Sequence, residues 1–197
     1  MISNIEIEAK VLLSKEDYAK VEKSLSLNDD NAYTQVNYYI DSKDRILKKN
    51  DIALRIREKK GVYVMTLKTP LSEGLLEKNQ DLSAKEALEM INLNRFPKGE
   101  IQEFIETFDI DVADLIVLAR MTTLRNEINN TDKDETISLD MNTYGSHVDF
   151  ELEVDETSMD NAEKRVEEIL KPLGIKYELN HLNKSTRAIA AAEKDAK

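Results

Sequence analysis

Polar and apolar residues alternate near the N-terminus: Glu6, Glu8 and Lys10 share one side of an extended chain, and Ile5, Ile7, Ala9 and Val11 share the other. A period of two is that of a β-strand, whose successive side chains point to opposite faces. Ser14 with Asp17 then forms an acidic capping-box variant, and Leu13 and Tyr18 fit the flanking hydrophobic staple. Tyr18, Val21 and Leu25 make the apolar stripe of a helix reaching about Leu27, before a polar break from Asn28 to Asn31. Alternation returns over residues 33–41, with Val36, Tyr38 and Ile40 opposite Gln35, Asn37, Tyr39 and Asp41. Residues 52–59 and 62–69 predict a hairpin through Lys60-Gly61, in which Arg55 and Arg57 alternate with Leu54 and Ile56.

Residues 75–82 extend the strand pattern, and Ser83 with Glu86 opens a capped helix to about Leu93. A short helix is expected over 99–108, then a long interrupted strand over 115–128. Two alternating runs follow at 136–142 and 147–155, the second with Asp149, Glu151, Glu153 and Asp155 on one side. Ser158 starts a helix striped by Ala162, Val166, Ile169, Leu170 and Leu173 and stopped around Pro172-Gly174; a weaker helix ends the chain, frayed after about Glu193. No linker interrupts the pattern, so the expectation is one domain over residues 1–197.

Several strands thus carry one apolar face and one charged face. The plain reading is a one-sided antiparallel sheet with its polar face in water. The sharper reading closes the sheet into a barrel with a charged lumen and helices outside. Like charges at i and i+2, as in the Arg55–Arg57 pair and the acidic row 149–155, repel unless something binds between them. A metal would neutralise the acids and a polyanion the arginines.

Composition narrows the chemistry. The 197 residues are 41% hydrophobic and 34% charged, enough for a real core in a soluble protein. No apolar run approaches the ~20 residues of a membrane span, and Glu6 and Glu8 stand where a secretory signal needs an apolar core, which predicts a cytoplasmic location and no membrane partner. Cysteine is absent and histidine limited to His147 and His181, so any metal site would be built on carboxylate oxygen, suiting Mg²⁺ or Mn²⁺. A net charge of −11 argues against nucleic acid as a partner.

The motifs Glu6-x-Glu8-x-Lys10, Tyr39-x-Asp41, Leu54-Arg55-Ile56-Arg57, Thr66-Leu67-Lys68, Thr122-Thr123-Leu124-Arg125, Leu139-Asp140, Asp149-Phe150-Glu151-Leu152-Glu153 and Lys184-Ser185 with Arg187 occur in that order. In this the chain resembles the CYTH superfamily of triphosphate tunnel metalloenzymes, and in particular its branch from Gram-positive bacteria. The resemblance implies an α+β fold: an antiparallel eight-stranded β-barrel, open through its centre, with helices packed outside. It implies a lumen that binds a triphosphate-containing small molecule and Mg²⁺ or Mn²⁺.

By the same carry-over, Glu6, Glu8, Glu151 and Glu153 would be metal ligands with Asp140 assisting. Lys10, Arg55, Arg57, Lys68 and Arg125 would grip phosphate, with Lys184 and Arg187 near the tunnel end. Glu6, Glu8, Lys10, Glu151 and Glu153 form the catalytic set. The implied reaction is metal-dependent hydrolysis of inorganic tripolyphosphate or of a nucleoside or thiamine triphosphate. A non-catalytic polyphosphate- or nucleotide-binding module and a class IV-like adenylyl cyclase are the alternatives. The segment Glu77-Lys78-Asn79-Gln80-Asp81 departs from the pattern, where many relatives have an Arg and Glu pair, and Arg120 has no counterpart in it.

Overall fold

A computed structural model describes residues 2–27, 32–72 and 74–195; the break from Asn28 to Asn31 lies outside the described residues. Nine antiparallel strands run β1 (Ile2–Glu6), β2 (Glu8–Leu13), β3 (Tyr33–Asp41), β4 (Ala53–Lys59), β5 (Val62–Pro70), β6 (Leu75–Leu82), β7 (Ile116–Asn130), β8 (Glu135–Tyr144) and β9 (His147–Asp155). Among the described residues six α-helices accompany them: α1 (Lys15–Ser24), α2 (Ile46–Lys49), α3 (Ala84–Leu93), α4 (Glu100–Glu106), α5 (Met159–Leu170) and α6 (Lys184–Asp195). Among the described residues no helix is long and apolar enough to cross a membrane.

The strands form one sheet in the order β1-β6-β5-β4-β3-β7-β8-β9-β2. Its two outer strands are consecutive in the chain, with only Ile7 between them. Glu6 pairs with Leu75 on one edge, Glu8 with Asp155 on the other, and the Ile7 carbonyl accepts from the Glu156 N–H at 3.0 Å. The N-terminal segment, read from sequence as one strand, is therefore divided between two partners. That division closes the barrel, and it turns an expected count of eight strands into nine.

The local signals act as read. Ser14, Ser83 and Ser158 each cap a helix through their side chains, and the Ser83–Glu86 capping box is complete. The short α2 had no sequence signal. It is held by the Asp41 carboxylate, which accepts from the Leu47 and Lys48 N–H groups and from Arg45 Nε.

Two apolar clusters lie outside the barrel. One joins Val11, Leu139 and Leu152 to Val21 of α1 and Val166 of α5; the other joins Ile56, Met65 and Leu67 to Met90 of α3 and Ile105 of α4. Full burial of each such Leu, Ile or Met contributes about 1.5–3 kcal/mol. A third cluster has the opposite orientation. Tyr39, Ala119, Met121 and Tyr144 occupy the inward face of β3, β7 and β8, and α6 covers them with Ala188, Ile189 and Ala191. Apolar side chains on an inward face need cover, so α6 packs against the inner wall at one end of the barrel while the other helices pack outside.

Candidate active site

The barrel interior holds a cavity of about 170 Å³. It is bounded by nine residues singled out in the sequence: Glu6, Glu8, Lys10, Arg55, Arg57, Lys68, Arg125, Glu153 and Lys184. Strand parity delivers seven of them, because every second residue of β2, β4, β5, β7 and β9 points inward; Glu6 comes from the end of β1 and Lys184 from the start of α6. Asp140, Glu151 and Arg187 are not among the lining residues. Asp140 and Glu151 are fully buried behind Arg125 and Lys184, which touch them.

Six further polar residues line the cavity. Asp155 belongs to the acidic row already visible in the sequence. Asn183 and Ser185 bracket Lys184, whereas Tyr39 and Thr66 stand in two of the sequence motifs without a role assigned to them. Glu77 is the sixth, and the register explains it: Lys68 stands opposite Glu77 and Leu67 opposite Lys78. Glu77 therefore faces inward, 3.3 Å from Lys68, while the Lys78 ammonium lies 5.0 Å from the Phe104 ring of α4. Burial alone would raise the Glu77 carboxyl, but Lys68 and Arg55 outweigh it and hold the group below the usual range. Arg120 is exposed.

The cations fall into two kinds. Lys10 pairs with Glu8 at 2.8 Å, and Lys68 with Glu6. Arg125 grips Asp140 through two bonds of 2.7 Å and reaches Glu153 at 2.6 Å. Arg187 spans Asp149 and Glu151 at 2.9 and 2.8 Å. Arg55 and Arg57, by contrast, have no carboxylate partner among the described residues. Arg57 Nε donates to the neutral Asn37 amide oxygen at 3.0 Å, and Arg55 Nε is buried without a hydrogen bond. Burial, reinforced by the Arg55 and Arg125 charges, pulls the Arg57 guanidinium down to about 9, still charged at neutral pH. Two adjacent, half-buried guanidinium groups without carboxylate partners amount to a site prepared for an anion.

The carboxylates fall into two kinds as well. Oxygens of Asp140, Glu151 and Glu153 lie within 4.8 Å of one another, as do those of Glu6, Glu8 and Asp155. The first group is saturated with protein cations. The second is short of them: Asp155 has no ion pair among the described residues, and burial together with Glu8 and Glu6 pushes its carboxyl up to about 8. Three oxygen donors in a cavity wall that share only two protein cations among the described residues, Lys10 and Lys68, fit a hard divalent ion such as Mg²⁺ or Mn²⁺.

A CYTH domain family model matches residues 4–187. YjbK of Bacillus subtilis, provisionally named a triphosphatase, is 32% identical over 175 residues, covering 89% of this chain and 90% of YjbK. A Bacillus halodurans crystal structure, provisionally named an adenylate cyclase, superposes with a TM-score of 0.87 at 35% identity, covering 95% of this chain and 98% of its own. HpAC1 of Hippeastrum shares the fold at 22% identity, with a TM-score of 0.75 over 97% of this chain and 96% of its own.

Proposed function

The chain belongs to the CYTH domain family, and on that premise we propose that it hydrolyses a linear triphosphate in the barrel cavity with the help of a divalent metal ion. The observation that carries this reading is the Arg55–Arg57 pair, half-buried and without carboxylate partners among the described residues in a cavity whose other cations are already paired. A triphosphate supplies several adjacent negative charges with oxygens that match the planar guanidinium donors. The name of the B. subtilis relative points the same way.

Glu6, Glu8 and Asp155 would hold the metal ion, which when bound neutralises phosphate charge and polarises the bridge to be cleaved. The chain's own groups do the rest. Arg55 and Arg57 bind phosphate oxygens and withdraw charge as the bridging oxygen leaves. Lys10, Lys68, Arg125 and Lys184, each anchored by a carboxylate, orient the phosphate chain. Glu77, ionised beside Lys68, is an acceptor able to orient a water for in-line attack. Such chemistry depends mainly on positioning and charge neutralisation.

The B. halodurans relative motivates a second reading, cyclisation of ATP. The two are separated by incubating the purified chain with tripolyphosphate, ATP, GTP and thiamine triphosphate plus Mg²⁺ or Mn²⁺ and resolving the products. Release of inorganic phosphate supports hydrolysis. Cyclic AMP with pyrophosphate would replace it by cyclisation, and binding without turnover by a binding module.

A further inference from the structure

The Lys184 ammonium sits among all three carboxylates of the buried acidic cluster, 2.9 Å from Asp140 Oδ2, 2.7 Å from Glu151 Oε2 and 2.5 Å from Glu153 Oε1. These residues would otherwise offer a three-carboxylate cage. We infer that Lys184 is a built-in substitute for a second metal ion: it fills the Asp140–Glu151–Glu153 cage, leaving Glu6, Glu8 and Asp155 as the one carboxylate cluster among the described residues that holds a divalent cation. The inference rests on the metal-dependent reading above and goes beyond it in assigning the second cluster to the protein's own charge.

The surroundings of the cage support this. Each of its six carboxylate oxygens contacts a protein cation. Arg125 Nε takes Asp140 Oδ1, and Arg125 Nη2 takes Asp140 Oδ2 and Glu153 Oε2. Arg187 takes both Glu151 oxygens, at 3.0 and 2.8 Å, and Asn180 Nδ2 adds 2.9 Å to one of them. With Asp149, four carboxylates face three cations. A divalent ion entering here would have to displace Lys184 and reverse that near-balance in a buried site, where unpaired charge is expensive. The arrangement also has a direction. Lys184 and Arg125 line the cavity while Asp140 and Glu151 do not. The cage thus acts as a rigid counter-ion that fixes two cations at the wall. The device depends on the C-terminal helix, since Lys184 is the first residue of α6 and Arg187 lies in its first turn.

The test counts bound Mn²⁺ by electron paramagnetic resonance and calorimetry, without substrate. The wild-type chain should bind one ion, and Glu8→Gln should lose it. Lys184→Met removes the ammonium but keeps the hydrocarbon stem, and should bind a second ion and gain a larger Mn²⁺-induced rise in Tm than wild type. Lys184→Arg retains the charge and should remain at one ion. Two ions on the wild-type chain, with one lost in Asp140→Asn, would overturn the inference even if Lys184→Met failed to fold. A folded Lys184→Met that still binds one ion would overturn it too. A wild-type chain that binds no Mn²⁺ while binding tripolyphosphate would instead remove the metal from the proposed function, and the inference with it.

Discussion

Arg57 stands directly opposite Asn37 on the β3–β4 pair, and its Nε donates to the Asn37 amide oxygen at 3.0 Å. The partner orients the guanidinium without neutralising it. A carboxylate at position 37 would give the same geometry and cancel the charge. Asn37→Asp should therefore preserve the fold and weaken tripolyphosphate binding by on the order of tenfold, about the scale of one charge-assisted hydrogen bond. Calorimetric titration of the two proteins decides the matter, and equal affinities would mean that the free charge of Arg57 is not used.

Removing either arginine should separate binding from stability. Arg55→Ala and Arg57→Ala should each weaken tripolyphosphate binding by roughly 1.5–3 kcal/mol. The ligand-free protein should melt at an unchanged or higher temperature, because adjacent like charges no longer repel. A thermal-shift titration reads both effects. A solvated surface pair would change neither.

Asp155 should show the same opposition on the acidic side. It shares a 4.8 Å neighbourhood with Glu6 and Glu8 and has no cation of its own among the described residues. Asp155→Asn should raise the Tm of the metal-free protein and shrink the additional rise caused by Mn²⁺. A variant that is less stable without metal yet gains the full Mn²⁺ shift would exclude Asp155 as a ligand.

Barrel closure has its own weak point at Gly74, in the turn between β5 and β6. Its φ is +77°, and a Cβ there would lie 2.5 Å from the Glu6 carbonyl oxygen. Gly74→Ala should cost about 1–3 kcal/mol in urea unfolding, the range for backbone held in a disfavoured conformation. Because the collision falls on Glu6, Mn²⁺ affinity should fall with stability. An unaltered unfolding midpoint would show that the β1 edge yields freely.

Much of this architecture was legible in the chain because alternation marks strands and Ser caps mark helix starts. Inward residues such as Arg55, Arg57 and Glu153 follow from parity once one face is known. What was not legible depends on pairing between distant segments. Nothing in the composition of Ile5-Glu6-Ile7-Glu8 reveals that the strand changes partners at Ile7. The parity of Glu77 and Lys78 was decided only by register with Lys68 and Leu67. Asp155 was visible in the acidic row, but its lack of a counter-ion is a property of three strands together. The contacts of Lys184 with Asp140 and Glu153 cross more than thirty residues of sequence, so no local spacing could tell a caged ammonium from a free phosphate ligand.

The most direct test of the central claim is inorganic phosphate release from tripolyphosphate by metal-stripped protein, before and after Mg²⁺ or Mn²⁺ is restored, for wild type and Arg57→Ala side by side. The account predicts no release without metal, release by wild type once metal returns, and a rate at least about tenfold lower for Arg57→Ala at sub-saturating substrate. Full release by the stripped protein in EDTA, or equal rates for the two proteins, would contradict it.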